Sequence, residues 1–330
     1  MPPTMNITDS TSDVPKFSVV TCCYNQGAFL ADNIESVLAQ REPSFEHIVI
    51  DSGTDQTKAV CGRYPHVRYV FQPPAGQSAA LNLGFSLARG EIIAWLNADD
   101  YYLPGAFARV KQAFATRPPR TLVGGEADVV NAEGGFMWKL KNGPVPFFRL
   151  LAHPLLYRLE GRCAIPCQPT VFFPRQLLAD AGALRCDLKY GMDYEFWLRA
   201  IRNGYRFHHL RARMACYRYH GTSLTASEGY DAFLPEWQAV SGSVYAALPR
   251  AEQALAGLWN AYFHVESFLF RRHKRGMAEL EKLRGSNRAT MPAAEQAAML
   301  ARALRHAPWL LADMAWRTCR CRRPPAGLEG

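Results

Sequence analysis

Two adjacent carboxylates, Asp99 and Asp100, close the apolar run Ile92-Ile93-Ala94-Trp95-Leu96 by way of Asn97 and Ala98. Oxygen ligands of this kind hold Mg²⁺ or Mn²⁺, ions that commonly share their coordination sphere with substrate phosphates. The apolar run reads as a buried strand, and open α/β sheets bind ligands just beyond the carboxyl ends of such strands. The competing reading of the pair is a solvated turn ahead of Pro104.

The elements that must position this pair precede it. Phe17 to Thr21 reads as a strand, followed by the turn Cys22-Cys23-Tyr24-Asn25-Gln26-Gly27 and a helical pattern from Phe29 to Ala39. A second strand, His47 to Ile50, ends at Asp51, and a third, Val67 to Phe71, leads through Gly76 and Gln77 into a helix from Ser78 to Ala88. Strands alternating with helices at this spacing predict right-handed crossovers, an α/β class and a mostly parallel central sheet. Tyr24, Asp51, Gln77 and Asp99 should then converge on one edge of it. No G-x-G-x-x-G follows the first strand, which disfavours a dinucleotide-binding domain. Further on, strands are expected at Thr121 to Gly125, Phe136 to Leu140, Cys167 to Phe173, Tyr205 to Leu210 and Met214 to Tyr219. A loop and short helix fall between Gly143 and Ile165, and helices over Arg175 to Ala181 and from Asp193.

Composition bounds the possibilities. A chain of 330 residues with 48% hydrophobic content can bury a large core. No apolar run reaches the ~18 residues that span a bilayer, and the first fifteen residues lack a signal-peptide pattern, so a cytoplasmic protein is expected. Nine cysteines without a C-x-x-C pair fit reduced thiols; Cys163 and Cys167, four apart around Pro166, are not read as a metal site. A formal net charge of +9 favours anionic partners without choosing among them, and nucleic acid rests on that charge alone.

Taken together, Thr21-Cys22-Cys23-Tyr24-Asn25-Gln26, Ile48 to Asp55, Gly76-Gln77-Ser78 with Ala80 to Gly84, and Ala88 to Asp100 resemble the ordered motifs of the family-two inverting glycosyltransferases. The match resumes at Gln168-Pro169-Thr170, Gly191 to Arg199 and Tyr217-Arg218-Tyr219-His220, and covers roughly residues 16 to 225. The resemblance implies the A-type nucleotide-diphospho-sugar transferase fold (GT-A) and transfer of a sugar from a UDP-, GDP- or dTDP-linked donor to a hydroxyl acceptor. It also implies a Mn²⁺ or Mg²⁺ cofactor and a place in polysaccharide or glycoconjugate assembly.

Residue by residue, the family's D-x-D element falls on Asn97-Ala98-Asp99, with an amide in place of the first acid. Asp99 is then the expected metal ligand with Asp100 assisting, and Asn97 a donor-side contact. His220 aligns with a further ligand or diphosphate contact, or is structural. Tyr24 offers a ring for stacking on the base, and Asp51 a carboxylate for the base or ribose, or only a fastener of its turn through Ser52 and Gly53. Gln77 and Asn82 are donor-side contacts or helix caps. Asp193 aligns with the general base; the acid that normally precedes it is Met192 here, and Glu195 is the substitute. A non-catalytic nucleotide-sugar-binding or scaffold protein that kept the fold is the alternative, given Asn97 and Met192 in place of acids.

Residues 1–15 read as a loose arm, 16–230 as the catalytic domain and 231–330 as a helical, basic extension with 14 Lys and Arg against 9 Asp and Glu. Arg271-Arg272-His273-Lys274-Arg275 follows an aromatic helical run, and Arg317, Arg320, Arg322 and Arg323 follow Trp309 and Trp316. Such a segment fits the surface of an anionic membrane bearing a lipid-linked acceptor. Helices capping the core and a homo-oligomer contact are the other readings.

Overall fold

The computed structural model describes residues 14–141, 143, 145–160, 164–285, 294, 298, 300 and 301. The arm through residue 13, Cys163, Trp309, Trp316 and the arginines after them lie outside the described residues. The chain divides into two compact units. The first holds residues 1–154 and 164–248, and the second 155–163 and 249–330.

The first unit opens with β1 (Phe17–Cys23), α1 (Gly27–Leu38), β2 (Phe45–Asp51), α2 (Thr57–Cys61), β3 (Val67–Phe71), α3 (Gln77–Leu87) and β4 (Ile92–Trp95). It continues through β5 (Tyr101–Tyr102), α4 (Ala106–Thr116), β6 (Thr121–Val130), β7 (Phe136–Leu140), α5 (Phe147–Leu151) and the start of α6 (His153–Glu160). After β8 (Phe172–Pro174) come α7 (Gln176–Ala181), α8 (Met192–Arg202), β9 (Arg206–Arg218), α9 (Leu224–Glu228) and α10 (Leu234–Ala246). The sheet runs β3-β2-β1-β4-β8-β6-β9-β5, with β7 on β6. It is parallel from β3 to β4; β8 is antiparallel to both its neighbours, and the long β6–β9 pairing is parallel again.

Burial explains this order. β1 and β4 are buried along their whole length, as the unbroken apolar runs require of central parallel strands. The Phe17 ring stacks on Phe107 at 4.3 Å between centroids and meets Phe172 edge-on, joining β1, α4 and β8 in one core. α3 lies close on β1 because Gly84 carries no side chain; a Cβ there would come within 2.3 Å of Val20 Cγ1. Gly76, at φ +89°, turns the chain into α3 in a conformation that L side chains rarely adopt.

Two expected strands change form. Tyr205 to Leu210 and Met214 to Tyr219 join as the single strand β9, whose pairing with β6 passes from Gly124–His209 to Glu126–Arg213 by a bulge. The bulge absorbs the break in pattern that reads as two strands. The strand expected from Cys167 begins with a 3₁₀ turn over Gln168–Thr170, and the ladder starts only at Phe172. Pro169 has no N–H to give a ladder. The Thr170 hydroxyl instead bonds the Cys167 and Gly125 carbonyls.

The second unit contains the rest of α6 and α11 (Arg250–Gly285), a helix of 36 residues. Among the described residues no helix is long and apolar enough to cross a membrane.

Candidate functional site

Beyond the carboxyl end of β4, residues 97–100 form a tight turn, with the Asp100 N–H donating to the Asn97 carbonyl at 3.1 Å. The Asn33 side chain of α1 clamps it, donating to the carbonyls of Asn97 (2.8 Å) and Asp100 (3.0 Å). Asn33 is itself steadied by the Thr21 hydroxyl of β1, which also contacts the buried His47 ring.

Asn97 is the hub of a polar network under the site. Its Oδ1 accepts from Trp95 Nε1 at 2.9 Å and Gln77 Nε2 at 3.0 Å, and its Nδ2 donates to Gln168 Oε1 at 3.1 Å. Gln168 in turn donates to the Trp95 carbonyl. An amide satisfies this arrangement because it both accepts and donates, whereas a carboxylate would have no proton for Gln168.

The two carboxylates face different partners. Asp99 Oδ2 lies 3.1 Å from His220 Nε2 and accepts from Gln26 Nε2 at 3.0 Å. His220 Nδ1 is 3.0 Å from the Thr222 hydroxyl, and its ring packs on Phe29 at 4.5 Å. When Nδ1 carries the proton and donates to Thr222, the Nε2 lone pair faces the Asp99 carboxylate, the form in which imidazole binds a metal. Asp100 is buried and its Oδ1 accepts the Arg218 backbone N–H at 2.9 Å. Burial, reinforced by the neighbouring Asp99 charge, pushes the Asp100 carboxyl well above its usual range.

Arg218 fixes this geometry from β9. Its buried guanidinium donates to the carbonyls of Asp99 (2.9 Å) and Ala132 and to Asp32 Oδ2 (2.7 Å), and it lies over the rings of Phe29 and Tyr101. Removing it strands the buried Asp99 carbonyl while leaving the exposed Asp32 to water, so Arg218→Ala is expected to cost about 1–3 kcal/mol in stability. A denaturant midpoint equal to wild type would contradict this bracing role.

The remaining candidates fall on the neighbouring strand ends. Tyr24, after β1, is 63% exposed with its ring open to solvent. Asp51 is buried; it accepts from the Gly53 N–H at 2.9 Å and the Tyr69 hydroxyl at 3.0 Å, contacts that fasten its own turn. Gln77 stands at the start of α3 against Asn97. Asn82, more than a turn further along, is engaged at both ends with the Leu184 backbone, donating at 2.9 Å and accepting at 2.8 Å.

Asp193 occupies the first turn of α8, where the helix dipole favours a carboxylate. Its Oδ1 accepts the Tyr194 N–H at 2.6 Å, yet burial raises its pKa to about 6, so desolvation outweighs these stabilising bonds. The start of α8 meets the start of α3 where the Ser78 hydroxyl contacts Met192 Sδ at 2.8 Å. A relay of contacts thus connects Asn97, Gln77, Ser78 and Met192 to Asp193. Glu195, the other acid of this turn, is paired with Arg199 through two bonds of 2.9 and 2.7 Å.

Sequence reading missed several positioning residues. Asp55 accepts from the Gly27 N–H at 2.8 Å and caps Thr57, tying the starts of α1 and α2 together. Glu236 of α10 accepts the backbone N–H groups of Lys189, Tyr190 and Gly191 at 2.9, 2.7 and 2.8 Å, holding the loop that delivers Asp193. The Asp55 role had a local signal in Asp-x-Thr ahead of a helix; the Glu236 role had none, because its partners lie about 46 residues away.

Whether this donor set suits a hard cation follows from its chemistry. Asp99 and His220 are adjacent, and among the described residues no group of three or more His, Cys, Asp or Glu side chains forms a closed metal cage. An open pair of protein ligands fits Mg²⁺ or Mn²⁺, which keep several positions for water and substrate phosphate.

The fold is an α/β fold of the nucleotide-diphospho-sugar transferase type. The glycosyl transferase family 2 model matches residues 18–179. An uncharacterized glycosyltransferase of Mycobacterium tuberculosis is 32% identical over 200 residues, 57% of this chain and 70% of the relative. The chain belongs to glycosyltransferase family 2. An uncharacterized glycosyltransferase of Nostoc sp. is 36% identical over 107 residues, 31% of this chain, and the match spans only 33% of that relative's length. Among solved structures, S. aureus TarS residues 1–349 in complex with UDP-GlcNAc aligns with a TM-score of 0.57 at 20% identity, over 88% of this chain and 79% of that one. That likeness establishes the GT-A fold.

Proposed function

We propose that this protein is an inverting transferase that moves one sugar from a nucleoside-diphosphate sugar to a hydroxyl acceptor in polysaccharide or glycoconjugate synthesis. The observation that carries the reading is the pairing of two chemistries in one unit: Asp99 against His220 at a strand end, and Asp193 with a pKa near 6 at the start of α8. TarS, whose fold this unit shares, was solved with UDP-GlcNAc, which supports a nucleotide-sugar donor here.

Tyr24 stacks on the nucleobase and Asp51 keeps the adjoining turn in shape. Gln77 and Asn97 underlie the donor, and Asn82 holds the Leu184 loop beside it. Asp99 and His220 are the residues that would hold a divalent cation, with Asp100 bracing the turn. Such an ion supplies Lewis-acid stabilisation of the charge that gathers on the departing diphosphate. The acceptor oxygen attacks C1 from the face opposite that diphosphate and the C1–O bond breaks with its electron pair leaving on phosphate. Asp193 takes the hydroxyl proton. We read the acceptor as lipid-linked and met on the cytoplasmic face of an anionic membrane. Titrating UDP-, GDP- and dTDP-sugars with and without Mn²⁺ tests the core of this reading. Mn²⁺-dependent binding of one donor class is expected, and no binding across the panel would overturn it.

A further inference from the structure

We propose that the outer face of α11 is a docking surface for an anionic lipid bilayer. Leu255, Leu258, Tyr262, Val265, Phe268 and Leu269 are all exposed, from 42% for Leu255 to 69% for Leu258. At 100° per residue they occupy about 140° of the helix circumference. Ala256, Phe263 and Ser267, on the other side of the same helix, are buried. α11 thus has one face already packed and another, equally apolar, in water. A contiguous exposed stripe of this kind marks an interaction surface rather than scattered apolar residues.

Charge identifies the occupant. The stripe runs into Arg272, whose guanidinium lies across the Phe268 ring at 5.6 Å, and Arg275, which by the same helical geometry borders the stripe within about 20° of Phe268. Arg275 is exposed. A second copy laid parallel on this face would bring like charges together. The arc is also wider than the narrow seam of a two-helix coiled coil. An anionic leaflet answers both halves of the surface: large apolar and aromatic side chains enter the headgroup boundary while the cations meet phosphate. The proposal deepens the reading of a membrane-surface acceptor and rests on it for its purpose, but vesicle binding requires no turnover and is measured separately from donor binding.

The full chain is co-sedimented with vesicles of phosphatidylcholine alone and of phosphatidylcholine mixed equally with phosphatidylglycerol. Binding to the anionic vesicles is expected to exceed binding to the neutral ones and to weaken in high salt. The double variant Arg272→Gln/Arg275→Gln should lose about thirty-fold in affinity for anionic vesicles. Val265→Ser/Phe268→Ser should lower binding further while leaving donor binding unchanged. Pelleting equally poor with both vesicle types, or unaltered in the variants, overturns the proposal. So does a dimer in sedimentation velocity that only Val265→Ser/Phe268→Ser dissociates, since a second copy would then own the stripe.

Discussion

Replacing Asp193 by asparagine is expected to lower turnover by about 10²–10⁴-fold with donor affinity unchanged, because a general base acts on the acceptor alone. The pH dependence sharpens the test. A carboxyl with a pKa near 6 is a working base above that pH and loses the role as pH falls through it. The wild-type kcat/KM profile should therefore rise with a limb near pH 6, and the asparagine variant should lack it. Stability provides the control. Because the folded pKa lies above the unfolded value, the native state binds the extra proton between about pH 4 and pH 6, and this contribution to stability is lost as pH rises through that window. A neutral amide removes the desolvated charge, so the variant should be at least as stable as wild type at neutral pH. A surviving acid limb, or a loss of donor affinity equal to the loss of rate, would exclude Asp193 as the base.

How much of this was legible follows from the range of each signal. Strand β4 and its acidic end were readable because five apolar residues in succession permit little else. The crossovers β1 to β4 were readable because period and turn residues are local properties. The two-residue strand β5 was not, since two tyrosines carry no period, and its place is set by pairing with Cys216 and Ala215 far along the chain. Within the site, the strand-end acids pointed to Asp99 and the family resemblance to Asp193, while the supporting frame stayed hidden. Arg218 reaches Asp32 across 186 residues and the Asp99 carbonyl across 119. No spacing rule spans such distances; the assembled sheet brings them together. Asn97 is instructive in another way. Sequence reading sees an acid replaced by an amide and raises the question of lost catalysis, whereas the structure gives that amide a donor and acceptor role that an acid could not fill.

Asp99→Asn is the second substitution from which a large effect is expected, and its comparison with Asp100→Asn separates ligand chemistry from framework. Asparagine at 99 keeps the shape and its amide oxygen still accepts from Gln26, so the turn clamped by Asn33 should persist and thermal stability should change little. What it loses is the carboxylate charge beside His220, and with it the proposed anchor for a divalent cation. Loss of a group that stabilises transition-state charge typically costs about 10²–10³-fold in rate. In wild type a chelator should weaken donor binding; in Asp99→Asn donor binding should already be weak and the chelator should have no further effect. His220→Asn should fall between the two, since imidazole would be the second ligand of the proposed pair. Asp100→Asn retains an acceptor for the Arg218 N–H, so it should leave Mn²⁺-stimulated donor binding intact. Equal losses at positions 99 and 100 would mean that both carboxylates reach the ion, and undiminished Mn²⁺ stimulation in Asp99→Asn would remove Asp99 from its coordination altogether.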